Sequence, residues 1–146
     1  MTMLLTFDSV QAGDQIPPLA KQVTQETFWK YAVASFDYNP VHCNPEWVKT
    51  AQPFGIPETV AHGMMTMAFM VSVITNWAYP SMLKITKITS KFTHPVQAGW
   101  TVKCSGIISE KHVIARGKNY VIVDVKAENQ DGTLLGLVQA EVLFPD

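Results

Sequence analysis

The stretch HGMMTMAFMVSVITNWA, residues 62–78, decides the fold. After His62 its only polar side chains are two threonines, Ser72 and Asn76, so a helix over this segment is apolar on almost every side. The segment falls short of the roughly 20 residues that cross a membrane. A helix that is apolar all round has to be covered by other elements. The sequence therefore predicts a long central helix around which the remaining chain is wrapped.

Strand patterns follow this helix to the C-terminus and supply the cover. Apolar and polar residues alternate over residues 100–108, 121–127 and 138–144. A fourth candidate, residues 83–93, changes phase near Lys87, which predicts a bulge. Asp131-Gly132 predicts a hairpin turn, and residues 95–99 a longer one. With residues 7–23 adding an edge strand, the fold class is α+β: one domain over residues 1–146, with a curved antiparallel sheet wrapped around a long central helix.

Two shorter helices precede the central one. Thr24 is a favourable N-cap for the first, and Asn44 followed by Pro45 opens a second that ends near Gln52. Residues 35–43 between them are expected to form a loop. The predicted buried stripe of the first helix is Phe28, Trp29, Ala32 and Val33.

Composition excludes several function classes. The chain has 146 residues, 47% hydrophobic and 16% charged, with a net charge of −1, against about 25% charged residues in an average globular protein. Such apolar content excludes disorder, and one arginine with a slightly negative charge argues against nucleic-acid binding. No membrane association is expected, and the charge deficit predicts a subunit interface.

The cysteines and the N-terminus predict a cytoplasmic location. Cys43 and Cys104 are expected to be reduced thiols, because nothing in their number or spacing resembles a disulfide framework. Residues 1–7 are apolar but have no basic region, which is atypical of a signal peptide.

Familiar cofactor motifs are absent. The sequence has no GxGxxG, GxxxxGK[ST], CxxC, HExxH or GxSxG pattern, so nucleotide cradles, zinc sites and nucleophile elbows have no local support. Its four histidines lack the helical spacing of metal ligands. We therefore expect neither a metal nor a cofactor.

Chemistry is concentrated in Asp37-Tyr38-Asn39-Pro40-Val41-His42. Pro40 fixes its own φ and favours an extended Asn39, which stiffens the loop between Asp37 and His42. A carboxylate and an imidazole held on either side of a small reactant can act as an acid/base pair. The alternative is that Asp and Asn beside Pro are ordinary turn formers and that His42 bonds a carbonyl.

A second candidate is His62-Gly63, at the start of the central helix. Backbone N–H groups and the helix dipole there can stabilise an oxyanion, and Gly63 allows a ligand to approach the backbone. The alternative is that Gly63 is a plain N-cap with His62 packed beside it.

Together, Asp-x-Asn-Pro-x-His and the later His-Gly-Met resemble the MaoC-like, (R)-specific enoyl-CoA hydratase family of hotdog-fold proteins, over roughly residues 10–144. The resemblance implies a hydratase or dehydratase of trans-2-enoyl and (R)-3-hydroxyacyl thioesters, carried by CoA or acyl carrier protein. It assigns Asp37 and His42 as the catalytic dyad that grips the water. It assigns Gly63, Asn39 and His62 to binding of the oxyanion and the substrate, with the Gly63 amide on the thioester carbonyl and Asn39 also helping to set the loop. It also implies a homodimer or a higher homo-oligomer.

On this hypothesis the flexible thioethers of Met64 and Met67 line an acyl pocket, although core packing is the alternative for the helix methionines. One departure from the family is Phe36, which stands where Gly usually precedes the Asp; if that Gly has a positive φ, either Phe36 is strained or the loop differs locally. Two other functions remain. A hotdog thioesterase commonly uses a carboxylate on or beside the central helix, where only Glu58 lies upstream. A non-catalytic acyl-thioester-binding subunit is the third.

Overall fold

The computed structural model describes residues 4–145. The predicted domain over residues 1–146 and the apolar segment over residues 1–7 therefore extend in part outside the described residues. A 3-10 turn, Phe7–Ser9, precedes the first strand. The helices are α1 Gln25–Ser35, α2 Pro40–Cys43, α3 Pro45–Ala51 and α4 Gly63–Ala78. The strands are β1 Gln15–Gln22, β2 Lys84–Phe92, β3 Thr101–His112, β4 Asn119–Glu128 and β5 Leu134–Phe144.

All five strands form one antiparallel sheet in the order β1-β3-β4-β5-β2, and α4 packs against its inner face. Alternation along β3, β4 and β5 directs one apolar set toward the helix, for example Val102, Val123 and Val142, which are at most 1% exposed. The predicted α+β class, with a curved sheet around a long central helix, is confirmed. β1 is the predicted edge strand.

The central helix is covered on one side rather than all round. Met65, Met70, Val73 and Ile74 of α4 are buried against the sheet, and full burial of side chains of this size stabilises a fold by about 1.5–3 kcal/mol each. Met64, by contrast, is 55% exposed. Within residues 4–145, no helix is long and apolar enough to cross a membrane.

Connections between the strands partly follow the sequence prediction. The β2–β5 register shifts between Ile85 and Lys87, where the bulge was expected. Gly132, with φ 84°, lies in the predicted hairpin between β4 and β5. The longer hairpin predicted at residues 95–99 is wrong: β2 pairs with β5 and β3 pairs with β4, so this segment connects strands that are not neighbours. Turn residues mark a reversal of the chain, but they do not determine which strands pair.

Both predicted short helices form with the expected caps. The Thr24 side chain accepts a hydrogen bond from the N–H of Thr27, and the Asn44 side chain accepts one from the N–H of Trp47. The predicted buried stripe of α1 is half wrong. Phe28 and Ala32 are buried, but Trp29 is 49% and Val33 is 62% exposed, so only part of the predicted stripe faces the core.

Candidate active site

The motif loop folds around its own polar groups. One carboxylate oxygen of Asp37 accepts a hydrogen bond from the N–H of Asn39 at 3.2 Å. The Asn39 side chain in turn caps α2 by accepting from the N–H of Val41 at 3.2 Å. Pro40 occupies the first turn of α2, where its missing N–H leaves no partner unsatisfied. The segment expected to be all loop thus contains one helical turn, which is too short to produce a periodic signal, and that turn carries His42.

His42 is oriented by a carbonyl outside the motif. Its Nδ1 lies 2.7 Å from the carbonyl oxygen of Val60. Because a carbonyl only accepts hydrogen bonds, Nδ1 carries the proton, and a neutral His42 presents a bare lone pair at Nε2. Burial lowers the pKa of His42, with a smaller contribution in the same direction from His62; the Val60 bond and Asp37 act against it. The ring is therefore a neutral base near pH 7.

A crossing connection holds Val60 in place. The N–H of Ala61 donates to the carbonyl oxygen of Val96 at 2.7 Å, and Val60 forms a bridge with Gln97. Both Val60 and Val96 are buried. The segment wrongly predicted as a hairpin therefore fixes the carbonyl that sets the tautomer of His42.

Three predicted site residues meet at one point. One carboxylate oxygen of Asp37 and one ring nitrogen each of His42 and His62 lie within 4.8 Å of one another. The two imidazoles are stacked, with ring centroids 3.9 Å apart and planes inclined by 27°. Their lone pairs thus lie in two nearly parallel planes, whereas the ligands of a small cation must converge on one point. The geometry suits a polar reactant between side chains better than a metal ion.

Gly63 borders the same space as His42. Both line a cavity of about 360 Å³, together with Thr66 of α4 and Phe92 of β2; small-molecule pockets typically measure about 300–1,000 Å³. Gly63 takes the first helical position of α4, after His62 as N-cap, so its N–H has no partner within the helix. A Cβ at this position would lie 3.4 Å from the Phe92 ring. Gly63 is therefore not the N-cap, which is His62, whereas the packing of His62 predicted by the same alternative is present.

Met64 and Met67, which were predicted to line an acyl pocket, lie outside the cavity that His42 and Gly63 border. Neither Met64, which is largely exposed, nor Met67, which packs at the border of the core, lines the cavity beside His42. A larger cavity of about 770 Å³ contains none of the predicted site residues; strand residues such as Ile107 and Leu137 line it. The smaller cavity is the candidate site, because His42 of the motif and Gly63 of α4 both line it.

Known proteins resemble this chain in both sequence and fold. Residues 10–130 match the MaoC like domain family. The chain belongs to this family. An (R)-specific enoyl-CoA hydratase of Rhodospirillum rubrum is 28% identical over 113 residues, covering 74% of this chain and 75% of the relative. A 3-hydroxyacyl-thioester dehydratase X of Mycobacterium tuberculosis is 36% identical over 66 residues, which is 44% of this chain and 22% of that protein.

The unliganded R-hydratase PhaJ1 of Pseudomonas aeruginosa superposes with a TM-score of 0.83 at 25% identity, covering 97% of this chain and 86% of that one. The predicted family and its hotdog fold are confirmed, and the names of these relatives agree with the predicted enzyme class.

The departure of this MaoC-like protein from the family pattern has a structural consequence. Phe36 ends α1 with φ 58° and ψ 22°, in the left-handed region. This is the positive φ that the usual Gly would adopt without strain. The Phe36 ring is 83% exposed, so burial does not offset the conformational cost. The strain inferred from the sequence is therefore present, immediately before Asp37.

Two groups of the site, the carbonyl of Val60 and the ring of Tyr31, were not predicted from the sequence. The carbonyl of Val60 has no sequence signal, because any residue supplies one. Tyr31 packs its ring on His62 with centroids 4.8 Å apart. A helical wheel centred on Phe28 would have found Tyr31 three residues further on the same face, but the predicted stripe was placed on the other side, at Trp29 and Val33.

Proposed function

We propose that this MaoC-like protein is an (R)-specific hydratase and dehydratase of trans-2-enoyl and (R)-3-hydroxyacyl thioesters. One observation carries the proposal: His42, with its unprotonated Nε2, and the first N–H of α4 border one cavity, and an Asp37 carboxylate oxygen lies within 4.8 Å of a His42 ring nitrogen. Hydration of an enoyl thioester requires a base for water, a proton for Cα and stabilisation of negative charge on the thioester oxygen. These three groups supply all of them without a metal or other cofactor.

Asp37 and His42 act on the water. Since their polar atoms lie within 4.8 Å of each other, one water fits between them at hydrogen-bonding distance from both. The Asp37 carboxylate accepts one hydrogen of that water, and Nε2 of His42 takes the other as the oxygen bonds to Cβ. The imidazolium then returns its proton to Cα. The sum is addition of one water across the double bond, and the dehydratase direction reverses each step.

Gly63 acts on the thioester carbonyl. As water adds to Cβ, electron density moves to the carbonyl oxygen, and the N–H at the start of α4 donates to it with support from the helix dipole. Donors of this kind contribute about 10²–10³-fold to a rate. Asn39 takes no part in the reaction; by capping α2 it keeps the motif loop in shape.

The substrate is a thioester of CoA or acyl carrier protein. Its acyl chain enters the apolar cavity beside Phe92, while the carrier remains outside. Met64 and Met67 reach the acyl group only if it extends along α4 beyond the cavity, and their place in the acyl pocket stays a prediction. Cys43 and Cys104 are both free thiols, in line with a cytoplasmic location.

The edge of the sheet favours a homodimer. β1 carries Pro17 and Pro18 beside a register shift, and proline withholds backbone donors from a further strand. β2, at the other edge, has no proline over nine residues. On the face of β2 that is turned toward the helices, Ile88 is 39% exposed and Phe92 is 46% exposed. We propose that a second copy pairs along β2, next to the cavity.

Oligomeric state tests this dimer. We expect wild-type protein to sediment as a dimer or larger species and Ile88→Glu to sediment as a monomer. Ile107→Glu is the matched control, because Ile107 is 40% exposed on the opposite face of the sheet. A monomeric wild type, or an Ile88→Glu dimer as stable as the control, would contradict the assignment of β2.

Thioester hydrolysis is the second candidate, because Glu58 lies close in sequence to the start of α4. Glu58 is exposed and α4 carries no carboxylate, so nothing places an acid against the cavity from the helix itself. A non-catalytic acyl-binding subunit remains the third candidate, but it gives no reason for the bare nitrogen of His42 beside Asp37.

One assay distinguishes the three functions. Purified protein is incubated with crotonyl-CoA while enoyl absorbance and free thiol are followed in parallel. Loss of enoyl absorbance without thiol release, with (R)-3-hydroxybutyryl-CoA as product, is the expected result. Thiol release indicates hydrolysis, and no change with crotonyl-CoA or longer enoyl-CoA substrates indicates a binding protein.

Substitutions test the roles of the residues. Asp37→Asn and His42→Ala are each expected to lower turnover by at least about 10²-fold with the fold intact. Glu58→Gln, a neutralised carboxylate outside the motif, serves as control and should keep wild-type activity. Near-normal turnover in either dyad variant would overturn the mechanism.

A further inference from the structure

His62 occupies an unusual place between the two catalytic groups. Its side chain is only 2% exposed and is held between two rings. On one side lies His42, with centroids 3.9 Å apart; on the other lies Tyr31, at 4.8 Å with planes inclined by 50°. The three rings come from α1, α2 and the N-cap of α4, so His62 is the central member of a stack that joins three separate elements.

The same imidazole also holds the backbone of Asp37. Its Nε2 lies 3.0 Å from the carbonyl oxygen of Asp37. Since that oxygen can only accept, Nε2 carries the proton and Nδ1 is bare. Among the described residues Nδ1 has no hydrogen-bond partner although it is fully buried. His62 therefore makes one directed hydrogen bond through Nε2, and its Nδ1 is left without a partner among the described residues.

Packing and capping alone do not explain this residue. A buried acceptor without a partner destabilises a fold, and an apolar ring would fill the same space without that cost. His62 is the N-cap residue of α4, yet its side chain makes no capping bond. A histidine at this position provides both a ring face toward His42 and an N–H directed at the carbonyl oxygen of Asp37.

We propose that His62 is a positioning residue that holds the Asp37 carboxylate and the His42 imidazole in a fixed position relative to each other. This inference rests on the proposed hydratase function and gives His62 a role different from substrate binding. Its N–H fixes the main chain that carries the Asp37 carboxylate. Its ring face fixes the plane of the His42 imidazole, whose in-plane rotation is already set by the bond to Val60. One side chain thus sets the separation of the two groups that grip the water.

Two variants separate the donor from the ring. In His62→Gln, the side-chain amide nitrogen replaces Nε2 at the same distance from Cα, so the bond to Asp37 is kept while the aromatic stack is lost. In His62→Phe, the stack is kept and the donor is lost. We expect His62→Gln to lose up to about 5-fold in turnover of crotonyl-CoA, because the ring face is gone but the bond to Val60 still orients His42. His62→Phe should lose at least about 10-fold in kcat, with KM changed less than 2-fold, because the substrate does not touch the residue.

A measurement without substrate separates this proposal from the proposed function. In two-dimensional NMR spectra of ¹⁵N-labelled protein, the amide of Tyr38, which follows the Asp37 carbonyl, should give one sharp signal in wild type and in His62→Gln. It should broaden or split in His62→Phe. The ring nitrogens of wild-type His62 should report a proton on Nε2 alone.

The outcomes are distinct. If wild-type protein fails to hydrate any enoyl thioester while the Tyr38 signal behaves as described, the proposed function fails and the positioning of Asp37 by His62 stands. If His62→Phe keeps wild-type kcat and an unchanged Tyr38 signal, the positioning role is overturned. An equal loss in both variants, with a lowered melting temperature, also overturns it, since the residue is then a packing element only.

Discussion

Replacing Phe36 by Gly should make this protein more stable, although it removes a large apolar side chain. Phe36 has φ 58° and ψ 22°, and the left-handed region costs a residue with a Cβ about 1–2 kcal/mol. The greater freedom of Gly in the unfolded chain offsets about 0.5–1 kcal/mol of that gain. Because the ring is 83% exposed, its loss removes little buried area. The expected net gain in the free energy of unfolding is about 0.5–1 kcal/mol.

Thermal unfolding measures this gain. For a chain of this length, about 0.5–1 kcal/mol corresponds to a rise in Tm of about 2–3 °C. Phe36→Ala is the matched control, since it removes the ring but retains a Cβ and therefore the strain; its Tm should stay within about 1 °C of wild type. Turnover of crotonyl-CoA by Phe36→Gly should stay within about 3-fold of wild type, because the bond from His62 still fixes the Asp37 main chain.

Two results would refute this reasoning. A Phe36→Gly variant no more stable than Phe36→Ala would mean that the backbone relaxes without cost at this position. Equal destabilisation of both variants would mean that the exposed ring is covered in solution, with the partner subunit as the first candidate, and that its burial outweighs the strain.

Further predictions follow from the remaining geometry. The value of kcat/KM should fall on the acid side as His42 takes up a proton; since burial lowers its pKa, the midpoint should lie below pH 6.5, and one above pH 7 would contradict a buried neutral base. Gly106→Ala would place a Cβ 2.7 Å from Ile16, so urea unfolding should show a loss of about 1–3 kcal/mol, whereas Ser105→Ala on the outer face should be nearly neutral. Burial raises the pKa of Cys104 to about 12, so thiol reagents should modify it only on unfolding; rapid reaction of native protein would contradict this burial.

Local pattern was enough for most of the elements. The run of apolar residues at 64–78 predicted α4, because a helix that is apolar on almost every side has to be buried. Alternation over β3, β4 and β5 predicted strands with one buried face, and Asn44 with Pro45 marked the start of α3. Each of these signals is contained within a few turns or one strand, so the chain carries it without reference to its neighbours.

The pairing of the strands and the choice of the buried face of α1 could not be predicted from the sequence. Residues 95–99 looked like a hairpin turn, yet the sheet places β2 beside β5 and β3 beside β4, because strand pairing depends on contacts between segments that are distant in the sequence. The stripe of α1 was misplaced for a similar reason. Trp29 and Val33 are as apolar as Phe28, and only the position of the core relative to the helix decides which of them is buried.

The candidate site divides in the same way. The sequence by itself determined the chemistry: Asp37 and His42 on a loop stiffened by Pro40, and Gly63 at the start of a helix, are residue types whose acid, base and donor properties are intrinsic. Only the tertiary structure decided how they work together. The proton on Nδ1 of His42 is fixed by the carbonyl of Val60, and the stack on His62 joins elements that are 20 residues apart. Hydrogen-bond acceptors of the backbone and ring faces are present throughout any chain, so their roles arise only when folding brings them to a particular side chain.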